Sequence, residues 1–248
     1  ARRGMQQAAM GLLLAIVVGF FAKLFWSGDW TRNERARLIT ILVLFCGASV
    51  FWSIFEQAGS TLNLFAERHT DRMLGSFEIP TGWFQSLNSV FIIVFAPVFA
   101  ALWIHLAHRG SEPGTPIKFA FGLFILAAGF AVMIPAASMV SGGGKALPTW
   151  LITTYFLHTV AELALSPVGL SVTTKLAPRR YAGQMMGIWF LTLALGNLIA
   201  GLAAGRFNPE ALDEMPMLYG QIVLTTAGTG VLLLMLRGPL RRLMGGVH

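Results

Sequence analysis

The sequence has few of the residues from which enzyme active sites and metal centres are usually built. Its 248 residues include one cysteine, five histidines and eleven acids. A lone Cys46 provides neither a disulfide framework nor a zinc-binding spacing. A Gly-x-Ser-x-Gly elbow and a Cys/His couple are also missing. The sequence therefore argues against an enzyme and against a resident metal ion.

The sequence also has few charged residues and many hydrophobic ones. Charged residues make up 12% of the chain and hydrophobic residues 55%, and the mean hydropathy is +0.67. Such a composition lies outside the range of soluble domains. The net charge of +7 comes from Lys and Arg in short loops, without a basic run interleaved with aromatics, so we do not expect nucleic acid as a partner. The composition predicts an all-α integral membrane protein surrounded by the lipid bilayer.

Seven apolar segments reach the length of about 20 residues that a helix needs to cross the hydrocarbon core. The predicted spans are 6–26, 38–64, 83–107, 117–140, 149–174, 182–205 and 217–236. No signal-peptide cleavage site is apparent, and the chain starts on Ala1. We interpret this start as that of a piece of a longer protein.

Loop charges predict the orientation of these spans through the positive-inside rule. The basic residues of one side are Arg32, Arg35, Arg37, Arg109, Lys118, Lys175, Arg179, Arg180, Arg237, Arg241 and Arg242, and those of the other are Arg68, Arg72, Lys145 and Arg206. The first side is predicted to be cytoplasmic, and the C-terminus with it. Arg2 and Arg3 fall on the opposite side, which suggests that the first span is an accessory helix.

An acid in the fifth span is the strongest sign of a functional site. Glu162 lies in the run from Pro148 to Arg180, and a charge at mid-membrane costs roughly 3 to 10 kcal/mol unless it faces water or a partner. The alternative is a protonated carboxyl bonded to a neighbouring helix. His158 and Ser166 share its helical face. His158 could relay a proton or only fill space, and Ser166 could line the site or cap the bend expected at Pro167.

A second acid lies on a polar stripe of the second span. If this span is one continuous helix, one face carries Ser53, Glu56 and Ser60, with Gln57 beside them. Burial of a carboxylate without a cation disfavours its charged form. Glu56 and Glu162 therefore either bind protons or pair with cations that lie elsewhere.

Amides, an indole and glycines mark two further spans. Gln85 and Asn88 are one turn apart in the third span and could contact a ligand or hold helices together. Trp189 of the sixth span lies far from the interface belts, which favours a pocket-lining role over anchoring. Small-xxx-small spacings, which allow close helix approach, occur at Gly183/Gly187 and Gly201/Gly205.

Several motifs, in order along the chain, resemble the proton-dependent oligopeptide transporters of the major facilitator superfamily. They are Phe55-Glu56-Gln57-Ala58-Gly59-Ser60 with Phe65-Ala66-Glu67-Arg68, Gln85-Ser86-Leu87-Asn88, Arg109-Gly110-Ser111-Glu112-Pro113, the stretch from Glu162 to Ser171, and Met186-Gly187-Ile188-Trp189. The resemblance covers essentially the whole chain. It implies an accessory transmembrane helix with its linker at 1–30 and the C-terminal six-helix bundle of such a transporter at 31–248.

The function that this resemblance implies is proton-coupled symport of di- and tripeptides across the bacterial inner membrane by alternating access. The proton gradient would drive it, without a cofactor. The N-terminal six-helix half, with its Glu-x-x-Glu-Arg motif and its cavity Lys, Arg and Tyr residues, is missing from this sequence and is the expected partner. Two alternatives stay open: proton-coupled transport of another small solute, such as nitrate or a modified peptide, and a non-transporting membrane scaffold.

The resemblance also implies roles for individual residues, and His158 is added to them because it lies one turn from Glu162. Glu162 would receive the peptide amino terminus and Asn88 would contact the peptide backbone, while Ser166 and Trp189 would line the same cavity. The predicted proton-coupling or gating residues are Glu56, Gln57, His158 and Glu162.

Overall fold

The computed structural model describes residues 2–26, 28, 30–204 and 211–245, with only the backbone at 2, 3, 5–7 and 179. The expectations for Gly205, Arg206 and the side chains of Arg2, Arg3 and Arg179 lie outside the described residues.

The described chain is helical apart from one short hairpin. Its elements are α1 (Arg2–Trp26), α2 (Arg32–Phe55), α3 (Thr61–His69), β1 (Met73–Leu74), β2 (Phe77–Glu78), α4 (Thr81–His108), α5 (Thr115–Ser141), α6 (Pro148–Leu176), α7 (Ala182–Ala204), α8 (Met215–Met235) and α9 (Arg237–Leu243). The two strands are antiparallel, with Met73 opposite Glu78.

Seven helical segments are long and apolar enough to cross a membrane. They are Ala8–Trp26, Arg32–His69, Thr81–His108, Thr115–Ser141, Pro148–Leu176, Ala182–Ala204 and Leu212–Met235. Each matches one predicted span, so the all-α membrane fold is confirmed. Some helices extend beyond the apolar run because polar residues cap them. For example, Thr31 and Glu34 form a reciprocal capping box at the start of α2.

The predicted polar stripe assumed that the second span is one continuous helix. That assumption is wrong, because the helix is interrupted. The α-helix ends at Phe55, a 3₁₀ turn covers Glu56–Gly59, and a new helix starts at Thr61. Ser60 joins them with non-helical backbone angles, φ −122° and ψ −82°. Its N–H donates to the Gln57 carbonyl at 3.2 Å, an i to i−3 bond that tightens the turn. The residues after Glu56 are therefore rotated away from the face that a straight helix would give them.

The bundle is organised around α5 and α6. Helix α5 packs between α6 and α8, while α2 packs on α7 and α4 lies against α6. Helix α1 lies against α7, and its Phe21 ring stands 5.5 Å from Phe45 of α2. The division into an accessory helix at 1–30 and a bundle at 31–248 stays a prediction.

Close helix approach occurs at a glycine outside the predicted pairs. A Cβ placed on Gly196 of α7 would lie 2.5 Å from Trp52 Cβ and 2.9 Å from the Ser53 backbone nitrogen of α2. Among the described atoms, nothing lies within 4 Å of a Cβ placed on Gly183, Gly187 or Gly201. The absence of a side chain at Gly196 therefore allows α2 to pack closely against α7.

Candidate functional site

Asn88 and Glu162 meet at the contact between α4 and α6. The Asn88 Nδ2 amide donates to Glu162 Oε2 at 3.1 Å and lies 3.1 Å from Thr159 Oγ1. The Thr159 hydroxyl itself donates to the Tyr155 carbonyl at 2.8 Å, which leaves its oxygen free to accept from Asn88. One amide thus holds the carboxylate to the opposite helix.

The dyad formed by Asn88 and Glu162 is only half-buried. Both side chains keep intermediate exposure, while Thr159 beneath them is fully buried. Helix α4 contributes little to the core, since Phe84 is its one buried residue among those described. The carboxylate therefore has a fixed amide on one side and an open side on the other, where a ligand can approach it.

Glu56 lies near this dyad, at the start of the 3₁₀ turn. The side chain of Asn197 on α7 lies beside it, and the charges of Glu56 and Glu162 act on each other. The Asn197 amide itself donates to the Leu193 carbonyl at 3.1 Å. Two ion pairs occur within the described residues, Arg72–Glu78 and Lys118–Glu112, and neither includes these acids. Glu56 and Glu162 thus form a pair of like charges, and such a pair attracts a proton or a cationic group.

The turn that carries Glu56 and Gln57 is braced from within and from α6. Gln57 is buried, and its Oε1 accepts a hydrogen bond from Thr61 Oγ1 at 2.7 Å. The Tyr155 hydroxyl donates to the Ala58 carbonyl at 3.1 Å. Tyr155 therefore gives a partner to a carbonyl in the interrupted part of the helix, where regular bonding is lost.

His158 is buried among aromatic rings of α2 and α5. Its ring is 1% exposed and lies 4.8 Å from the Phe130 ring and 6.0 Å from that of Phe55. A Cβ on Gly129 would stand 2.6 Å from its Cδ2, so α5 makes room for the imidazole. Neither ring nitrogen has a hydrogen-bond partner among the described residues. Proton relay through His158 stays a prediction, and it requires a rearrangement from this structure.

The structure gives less direct support to the predicted site roles of Trp189 and Ser166. The Trp189 ring is 3% exposed, packs onto Gly169 of α6 and meets the Phe119 ring edge-on at 6.3 Å. Ser166 has intermediate exposure one turn from Glu162. Their predicted substrate roles stay predictions, and Trp189 in this structure fills the α6–α7 interface.

Sequence reasoning missed three residues that support the site. Thr159 shares the Asn88 amide, Asn197 contacts Glu56, and Tyr155 braces the turn. The sequence could have indicated Asn197, because a polar amide inside an apolar span is unusual. The role of Tyr155 depends on a contact 97 residues away along the chain, and no local pattern marks it.

The arrangement does not resemble a metal centre. Among the described residues, no group of three or more His, Cys, Asp or Glu side chains could hold a metal ion. What the site offers is an acidic face with amide donors.

Comparison with known proteins decides the family. A profile described as the POT family matches residues 8–216. The chain belongs to the POT family. Members of this family are membrane transporters and not enzymes.

Two relatives of this POT-family chain have names that describe peptide transport. It is 45% identical to "Peptide transporter YePEPT" of Yersinia enterocolitica over 96% of this chain and 47% of that protein. It is 31% identical to "Dipeptide and tripeptide permease A" of Escherichia coli, over 84% of this chain and 43% of that protein. The chain therefore spans about half the length of the curated relatives that it matches.

Solved structures agree with the POT-family fold. A crystal structure of a mutant peptide transporter POT in complex with alafosfalin superposes with a TM-score of 0.91 at 35% identity, covering 99% of this chain and 50% of that one. A POT family transporter in complex with 5-aminolevulinic acid gives a TM-score of 0.84 at 27% identity, covering 97% of this chain and 49% of that one.

Proposed function

We propose that this chain is the C-terminal half of a proton-coupled symporter of di- and tripeptides. The observation that carries the proposal is the half-buried Glu162 carboxylate, held by Asn88 and open on one side. The peptide-transporter names and structures of its relatives support the substrate class.

The chemistry of a peptide matches the dyad. The ammonium end of a zwitterionic peptide needs an anion, which Glu162 supplies, and peptide amides need polar partners, which Asn88 supplies. A proton and an ammonium group exclude each other at Glu162, and such competition alone would give exchange rather than symport. The co-transported proton therefore has to bind a second group while the peptide is on Glu162, and Glu56 is the acid of this chain that we propose for it. The proton gradient then drives uptake without a cofactor.

Completing the site requires the N-terminal six-helix half, because this chain places no described Lys or Arg in an ion pair with Glu56 or Glu162. Cations from that half would balance the two acids when no peptide is bound. Rocking of the two halves about the site would give alternating access. We assign the protein to the bacterial inner membrane, with its C-terminus in the cytoplasm by the loop charges.

Uptake by liposomes tests this proposal. The natural protein that contains this chain is reconstituted as wild type and as Glu162→Gln, and dialanine uptake is driven by an inward proton gradient. We expect Glu162→Gln to lose gradient-driven uptake almost completely, because the amide cannot bind an ammonium group or exchange a proton. Glu67→Gln, an exposed acid on α3, is the matched control and should transport normally.

The same assay separates the alternatives. Uptake of nitrate without uptake of dialanine would point to another solute on this fold. If dialanine uptake is the same for wild type and Glu162→Gln and does not depend on pH, the result would favour a non-transporting membrane scaffold.

A further inference from the structure

A cavity lies at the end of α4 that is far from the hairpin. It has a volume of about 640 Å³ and is formed by the α4–α5 loop, the start of α5 and helix α9. Its walls include Ala107, Ile117 and Met244, and its polar lining comes from Glu112, Lys118, Arg237 and Arg241. The cavity is therefore amphipathic, with apolar walls and a charged rim.

The charges of this cavity do not cancel. Glu112 is the only acid among the described residues that line it, and its Oε1 lies 2.5 Å from Lys118 Nζ. Lys118 is 7% exposed and stands over the Trp103 ring at 4.4 Å. Within the described part of the chain, Arg237 and Arg241 form no ion pair. Two guanidinium groups thus remain without an anion.

The two arginine side chains are exposed, and the helix that carries them is anchored to the bundle. They are four residues apart on α9, so both extend from the same face of the helix. Leu240 and Met244 are each 2% exposed and fasten α9 to the bundle, where it contacts α2 and α5. Two planar guanidinium groups on one helix suit an anion with several acceptor oxygens, such as phosphate.

The cavity also lies at the ends of helices that are long and apolar enough to cross a membrane, where lipid headgroups are expected. It sits where α4 ends at His108, α5 starts at Thr115 and α8 ends at Met235. Trp103, one turn inside the end of α4, contacts Lys118 in the way that aromatic and basic residues meet at a membrane interface. Basic pockets between helices on the cytoplasmic side bind anionic headgroups.

From this geometry we propose that the cavity between the α4–α5 loop and α9 binds a phosphate group, with Arg237 and Arg241 as its ligands. The apolar walls favour the phosphate of an anionic phospholipid, and a soluble phosphate ester shares the same recognition chemistry. This site is separate from the Asn88–Glu162 dyad, and its test does not depend on transport.

Native mass spectrometry of the natural protein in detergent provides the test. Phosphatidylglycerol is titrated against wild type and Arg237→Gln/Arg241→Gln, with phosphatidylcholine as the zwitterionic control. The matched variant is Arg35→Gln/Arg242→Gln, which removes the same charge from exposed arginines of the same end outside the cavity. Binding of the first phosphatidylglycerol should weaken about tenfold more in the cavity variant than in the matched variant, as expected for a charge-assisted contact.

Two further measurements sharpen the result. Glu112→Gln should tighten phosphatidylglycerol binding severalfold, because Lys118 then loses its carboxylate and can face the anion. Inorganic phosphate is added as a competitor. Phosphate that displaces the lipid only from proteins with both arginines would support a soluble ester as the occupant, and lipid that resists it would support a phospholipid.

Equal losses in the cavity variant and the matched variant would overturn the proposal, since binding would then follow net charge alone. Equal affinity of wild type for phosphatidylglycerol and phosphatidylcholine would overturn it too. Unfolding temperatures of both double variants, measured without added lipid, establish that they are folded.

Discussion

At the scale of single residues, the site depends on one amide that serves two oxygens. Asn88 reaches both Glu162 and Thr159 across the α4–α6 contact, whereas Gln85, one turn earlier on the same helix, is exposed. The two amides looked equivalent in the sequence. The structure separates them because only Asn88 is level with the carboxylate.

Replacing Asn88 by alanine should impair peptide binding without unfolding the protein. A hydrogen bond to a charged group contributes about 1.5–3 kcal/mol, so we expect the apparent affinity for dialanine to fall about 10- to 100-fold. Concentration-dependent uptake into liposomes measures this change. Gln85→Ala is the matched control and should retain wild-type affinity. A comparable loss in both variants would contradict the role given to Asn88.

Two buried tyrosines offer a paired test of the helix interruption. The Tyr155 hydroxyl donates to the Ala58 carbonyl, whereas the buried Tyr219 hydroxyl has no partner among the described residues. Tyr155→Phe leaves that carbonyl without its donor and should cost about 1–3 kcal/mol of stability, while Tyr219→Phe should be neutral or stabilising. Thermal unfolding in detergent measures both. The idea fails if Tyr155→Phe is as stable as wild type.

At the scale of whole helices, hydropathy predicted the seven spans. It did not predict the interruption of the second span. Seven spans follow from apolar length, because the bilayer leaves a helix as the simplest way to satisfy the backbone. The turn at Glu56–Gly59 has only weak local signals, Gly59 and Ser60. The turn is braced by Thr61 and by Tyr155, and Tyr155 is distant in sequence. A helical periodicity continued through the turn therefore assigned the following residues to the wrong faces.

The site was predictable in its residues but not in its contacts. Glu162 and Glu56 stand out because acids are costly inside a membrane span, and the resemblance placed Asn88 on a facing helix. The direct bond between Asn88 and Glu162 depends on the relative heights of α4 and α6, which sequence spacing within one helix does not specify. For the same reason the sequence did not show that Trp189 rests on Gly169.

Helices α2 and α7 provide the element-scale prediction. Gly196→Ala brings a methyl group against the Trp52 and Ser53 backbone, which cannot move without shifting α2. Overpacking of this kind costs about 1–3 kcal/mol, so the unfolding temperature should fall. Gly201→Ala, on the same helix with open space around it, is the control and should be neutral or slightly stabilising because alanine favours helix. Equal stability of the two variants would argue against the close α2–α7 approach.

At the scale of the whole molecule, the basic loops gather at one end of the bundle. Lys118, Arg237 and Arg241 line one cavity there, and Lys118 and Lys175 line a smaller one beside it. At the other end, the loop after α3 meets the loop before α6 through the pairing of Thr70 with Ala146. For these described loops, the two ends agree with the two sets of the charge count, and the orientation in the membrane stays a prediction.

The predicted orientation can be tested with two exposed basic residues, one from each end. Arg109 and Lys145 are both exposed and are replaced singly by cysteine in a Cys46→Ala background. If the basic end is cytoplasmic, a membrane-impermeant maleimide added to intact cells labels Lys145→Cys and leaves Arg109→Cys unlabelled until the membrane is permeabilised. The physical reason is that Lys and Arg are retained on the cytoplasmic side during insertion. The opposite labelling pattern would place the proposed phosphate cavity and the C-terminus outside the cell. The direction of proton-driven uptake through the Asn88–Glu162 dyad would then have to be reversed.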